Sequence, residues 1–165
     1  MDQARIVKIR TGDDKVLEFN EKSISRSDLI SGILGDYLED SEIPLKTVNG
    51  KTLAKIKEYL DHYQNIEPDR VERPLKSLNF KECVNEWDYN YTNEDIDFLF
   101  DIIEAASHMD IKPLLELLAA KLGNKIQNIS TEKIRNKFNI HGDFTEEEKT
   151  QITEDKETLA KILSK

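Results

Sequence analysis

The chain has 165 residues, 38% hydrophobic and 35% charged, with 33 acidic against 24 basic side chains for a formal charge of −9. That length fits one compact domain or two tightly packed pieces, burying roughly two thirds of the surface the unfolded chain exposes, and the acidic excess works against nucleic acid or anionic membrane as partners. Cys83 is the only cysteine, which excludes an intramolecular disulfide and a cysteine-based zinc site; with no signal-peptide stretch in MDQARIVKIR, the reducing cytoplasm and nucleus are the expected locations.

In ARIVKIRTGDDKVLEFN two β-prone runs, Ile6 to Ile9 and Val16 to Phe19, flank the turn formers Thr11-Gly12-Asp13-Asp14 and predict a hairpin. Leu29, Ile30, Ile33 and Leu34 then mark one face of a short helix with Ser25 or Ser27 as its cap. After the acidic loop Glu39-Asp40-Ser41-Glu42, Ile43-Pro44-Leu45 suits an edge strand, where proline's missing N–H costs nothing. Asn49 caps a helix carrying Leu53, Ile56, Leu60 and Tyr63 at helical spacing. The order β-β-α-β-α is that of an α+β module rather than a βαβ repeat.

From Asn65 to Tyr91 the apolar period dissolves around Pro68 and Pro74, the pattern of a linker whose last part is pinned by Trp87 and Tyr91. Everything beyond reads as helix. Thr92 or Asn93 is the expected cap of a very apolar segment through Ile96, Leu99, Phe100 and Ile103. Asp110 and Pro113 open the next helix, with Leu114, Leu115, Leu118, Leu122 and Ile126 as its expected inward stripe. Ser130 caps a short helix, Thr145 and Glu148 form a T-x-x-E capping box, and Ile152, Leu159 and Leu163 keep a helical interval to the end.

The stretch FNIHGDFTEEEK places His141, Asp143 and Glu147 within reach of one another. As hard ligands they lack the alternating oxygen donors and central glycine of a calcium loop, and none of His62, His108 and His141 has a second histidine or a cysteine at i+3 or i+4. The capping box and the helix dipole account for the same residues, so no metal or other cofactor is expected; a metal-assisted hydrolase on these three side chains is the rival reading. No phosphate-cradling glycine loop and no nucleophile, base and orienter set is legible, so no catalysis is expected. What stands out is apolar surplus in the helical half, at Leu99, Ile103, Leu115, Leu118, Leu122, Ile126, Ile134, Phe138 and Ile140. It fits either a core shared with the first module or an exposed groove for a partner.

Two segments carry a family resemblance. FDIIEAASHMDIKPLLELLAAKLGNKI resembles L-I-L-A-A-N-Y-L-D-I-K-x-L-L, and STEKIRNKFNIHGDFTEEEK resembles T-P-E-E-I-R-K-x-F-N-I-x-N-D-F-T-x-E-E-E, in the adaptor subunits of SCF (Skp, cullin, F-box) ubiquitin ligases. The resemblance implies a BTB/POZ-like fold over 1–67, a variable linker over 68–91 and a helical dimerisation and F-box-binding region over 92–165. An elongin-C-like adaptor fits less well, since that shorter relative lacks the helical extension. The implied function is a non-catalytic bridge from F-box proteins to a cullin, in ubiquitin-dependent degradation; separately, an exposed apolar groove makes a weak homodimer possible when the chain is free of an F-box partner. Carried over by position, Leu99, Ile103, Leu115, Leu122, Ile126, Ile134, Phe138 and Ile140 face the F-box, and Leu29, Ile33, Glu39, Asp40, Glu42, Ser107 and His108 face the cullin.

Three departures qualify that transfer. Ser107-His108 stands where the family has Asn-Tyr, and losing an aromatic anchor costs about 2 kcal/mol or more, roughly thirtyfold in affinity. This motivates an alternative: a divergent paralogue binding F-box-type helices without a cullin. The end, TLAKILSK, lacks the family's tryptophan-bearing tail, for which Leu159, Ile162 or Leu163 substitutes with less buried area. Glu146 occupies the place of a proline that some members hydroxylate and glycosylate, which rules out that modification at this position.

Overall fold

Alternation of Val7, Ile9 and Phe19 with polar residues folds the first strands into a hairpin with one buried face. β1 (Ile6–Thr11) and β2 (Val16–Asn20) pair antiparallel, Val7 opposite Phe19 and Ile9 opposite Leu17. The turn places Asp14 at a φ of 58° in the left-handed region, which aspartate tolerates. β3 (Glu42–Leu45) joins β1 in parallel, giving the order β2-β1-β3 with Pro44 on an edge strand as expected. At Gly12 a Cβ would lie 2.1 Å from the carbonyl oxygen of Lys46, so only glycine lets these two backbones meet there.

The computed structural model describes residues 5–35, 42–127, 129–138, 140 and 144–163, which divide into two compact units, 1–128 and 129–165. In the first, α1 (Glu21–Ile24) and α2 (Asp28–Ile33) follow the hairpin. Asn20 caps α1, a turn the sequence reading omitted, and Ser27 caps α2, its hydroxyl accepting from the amide of Ile30 at 3.2 Å. α3 (Gly50–His62) starts at Asn49, whose side chain accepts from the Thr52 amide at 2.9 Å. A short 3-10 turn (Phe80–Glu82) and α4 (Glu86–Tyr91) precede α5 (Ile96–His108) and α6 (Lys112–Ile126). The second unit holds α7 (Thr131–Lys137) and α8 (Glu146–Leu163).

Two expectations need correction here. Residues 68–91 are more than a linker: Phe80 and Tyr91 are buried in the core, and Trp87 stacks on His62 at 3.7 Å and on Tyr91 at 5.0 Å between ring centroids. Trp87 and Tyr91 are the expected pins, whereas the absence of period hides Phe80, because a single aromatic anchor needs none. The cap of α5 is Asp95, accepting from the Phe98 amide at 2.9 Å; Thr92 instead closes α4, buried, with its hydroxyl donating to the carbonyl of Asp88 at 2.8 Å.

Candidate partner-binding surfaces

The residues implied on the cullin side lie on α2, β3 and the end of α5. At the start of α2 the Ser27 hydroxyl donates to the Met109 carbonyl and the Asp28 amide to that of Asp110 at 3.3 Å. Lys112 adds an ion pair to Asp28 at 2.6 Å, and this pairing raises the lysine pKa. Asp110 itself takes a φ of 50° so that the chain can turn from α5 into α6. These ties fix the start of α2 against the end of α5; on α2 Leu29 is half-buried and Ile33 exposed, and at the end of α5 Ser107 and His108 are both exposed. Glu42 stands exposed on β3, paired with Arg10 at 2.7 Å. Glu39 and Asp40 lie outside the described residues.

Beside Ser107 and His108 a cleft of about 560 Å³ opens between the N-terminus of α3 and α5. Val48, Asn49 and Thr52 form one wall, and Asp101, Ile103 and Glu104 the other. Ile103, carried over as F-box-facing, lines this cleft together with Ser107 and His108, because it shares a helical face with Ser107 four residues on. Leu99 also departs from its expected place. It is 0% exposed, packed in the core with Leu53, Ile56 and Ile102, so in this conformation it offers a partner nothing.

α6 carries two stripes. Leu114, Leu117, Leu118 and Lys121 point inward and are buried, while Leu115, Leu122 and Ile126 are half-buried along a neighbouring face. The expected inward stripe thus mixed the two. The signal was obscured by a lysine in an inward position: the Lys121 ammonium lies 4.8 Å from the centre of the Phe80 ring and 4.9 Å from that of Tyr89, and burial lowers its pKa. The outer stripe of leucine, leucine and isoleucine is apolar surface that the first unit leaves partly uncovered.

In the second unit the T-x-x-E signal is realised as read. The Thr145 amide donates to Glu148 Oε2 at 2.8 Å, and the Glu148 amide to the Thr145 hydroxyl at 3.3 Å. Ile134 and Phe138 are half-buried, Ile140 is 52% exposed and Phe144 48% exposed. His141 and Asp143, and the side chains of Leu159, Ile162 and Leu163, lie outside the described residues. Among the described residues no His, Cys, Asp and Glu side chains group as metal ligands, and no helix is long and apolar enough to cross a membrane.

The first unit also holds a polar latch that sequence reading missed. Tyr63 at the end of α3 donates its hydroxyl to Asp88 Oδ1 at 2.8 Å, and Asn85 Nδ2 donates to Asp88 Oδ2 at 2.9 Å. Burial raises the Asp88 pKa despite these donors and pushes Tyr63 up to about 12. The latch fastens α4 to α3, and Tyr91 adds a bond from its hydroxyl to the Lys55 carbonyl at 3.0 Å.

Two family models match the chain: the Skp1 family tetramerisation domain over residues 5–65, and the Skp1 family dimerisation domain over residues 112–158. Among curated relatives, an S-phase kinase-associated protein 1 homolog of Tetrahymena thermophila is 37% identical over 150 residues, covering 90% of each chain. The E3 ubiquitin ligase complex SCF subunit sconC of Arthroderma benhamiae is 36% identical over 149 residues, 89% of this chain and 91% of that one. Its namesake in Emericella nidulans is 34% identical over 154 residues, 93% and 95% of the two chains.

Proposed function

The chain belongs to the Skp1 family, and from that premise we infer that it is a non-catalytic adaptor of an SCF ubiquitin ligase, joining F-box substrate receptors to a cullin scaffold. The observation that carries this reading is the placement of its apolar surplus. Leu115, Leu122 and Ile126 on α6 are only half covered, and Ile134, Phe138 and Ile140 in the second unit find no deep core. Such side chains suit capture of an amphipathic helix, which binds by laying apolar anchors into a groove. A free chain with that surface also has a means of weak self-association.

The cullin end rests on α2, β3 and the α5–α6 turn. Ile33 and Leu29 supply apolar contact there, and relatives that are themselves SCF subunits favour an SCF role over a complex without a cullin. The cytoplasm and nucleus are the compartments where such a ligase subunit with a single free cysteine belongs. Affinity purification of the tagged chain tests the reading: F-box proteins and a cullin should be recovered together, and recovery of neither contradicts it. Leu122→Asp should abolish F-box recovery while the circular dichroism of the first unit is kept, whereas unchanged recovery would remove the α6 stripe from the interface.

A further inference from the structure

We propose that the cleft between α3 and α5 receives a cationic side chain, lysine or arginine, projected by a helix of the scaffold partner; this rests on the cullin reading above. Asp101 and Glu104 stand exposed on its α5 wall, one helical turn apart, and among the described residues no lysine or arginine lines it. Among the described residues neither carboxylate has an ion-pair partner. Each therefore keeps its full attraction for an incoming cation, whereas most other acidic residues near the sheet are already paired, as Glu42 is to Arg10.

A second feature of the cleft is independent of those charges. Thr52 is 2% exposed and lines the opposite wall, and among the described residues its buried hydroxyl oxygen has no hydrogen-bond partner. A buried hydroxyl left unsatisfied carries a free-energy cost that a donor brought by a partner relieves. An anion is the wrong occupant, although the N-terminus of α3 is nearby. That helix end already has its countercharge: Asp13 Oδ1 accepts from the Gly50 amide at 2.7 Å, and the bonds from Thr11 and Lys15, with that amide, hold the Asp13 pKa down to about 2. The nearest cation on the same helix, Lys51, lies over the Phe98 ring at 3.9 Å and is not part of the cleft lining. Ser107 and His108 at the mouth are exposed, and serine is small enough to leave a long side chain room to enter.

Calorimetric titration of the full chain with the N-terminal domain of a cullin, at low and high salt, tests this. The parent should bind more weakly at high salt. The Asp101→Asn, Glu104→Gln double variant should lose about tenfold in affinity at low salt and show a flattened salt dependence. Thr52→Val, which keeps the shape and deletes the hydroxyl, should raise the melting temperature yet lower the affinity about threefold. Both variants should retain parental capture of an F-box protein, which reports an intact fold. Parental affinity and salt dependence in the double variant overturn the proposal, and unchanged affinity in Thr52→Val overturns the part given to the hydroxyl. No binding by the parent itself is a different result: it removes the cullin reading and the proposal together.

Discussion

In the first unit Ile9, Phe19, Leu53, Ile56, Leu60, Leu99 and Ile102 have essentially no exposed surface; in the second, no described side chain is buried, and its largest apolar residues, Ile134, Phe138, Ile140 and Phe144, range from half-buried to exposed. The first unit draws its stability from its own core. The second has local devices, a capping box and helix-spaced apolar residues, but among its described residues no buried side chain of the kind a well-packed interior requires. Its described apolar residues keep surface open to solvent, which is what the proposed capture of an F-box helix would require.

The sharpest way to break that contrast is to truncate one apolar residue in each unit. Leu99→Ala should cost about 3 kcal/mol in thermal or urea unfolding, because a closed core cannot collapse around the cavity. Ile134→Ala should cost less than about 1 kcal/mol in the free chain, while weakening F-box capture by roughly tenfold or more. Equal losses of stability at the two positions would erase the distinction.

Asp88 in the latch comes next. Asp88→Asn should cost about 2 kcal/mol near neutral pH, since an amide cannot accept from both Tyr63 and Asn85 without setting its own NH₂ against a donor. The pH dependence has a definite sign. The folded pKa of Asp88 lies above 3.8, chiefly through burial, so its contribution is full below that value and is lost as pH rises through the raised folded one. Asp13 behaves oppositely: lowered to about 2 by Thr11 first and then Lys15, it stabilises above 3.8 and that contribution is lost as pH falls. Urea midpoints from about pH 4 to neutrality should therefore decline less with pH in Asp88→Asn than in the parent.

The smallest expected effect sharpens the picture of the second unit. Thr145→Ala should cost about 1 kcal/mol, confined to α8, and hydrogen exchange should show faster amides in its first turn with the first unit unchanged. Slower exchange in β1 or α3 remains the internal control.

Much of this was legible where the cause is local. The hairpin followed from alternation and four turn formers, the edge strand from Pro44, and the caps at Ser27, Asn49 and Thr145 from side chains that satisfy amides within three residues. What escaped depended on distant contacts. Lys121 occupies an inward position because two aromatic rings from the 80–89 segment receive its ammonium, and this shifted the apparent stripe of α6. Buried Phe80 anchors a segment without period, and the Asp88 latch joins α4 to a tyrosine 25 residues earlier. Of the F-box-facing candidates, Leu99 went wrong for the same reason: helical spacing identifies an apolar face, but only packing decides whether that face is covered.

An SCF adaptor must hold an F-box protein and a cullin at the same time. Mixing the full chain with an F-box protein and a cullin N-terminal domain, then measuring mass by native mass spectrometry, tests it most directly. The prediction is a single complex with one copy of each. Two binary complexes that exclude one another, or a chain that leaves either partner unbound, would contradict it.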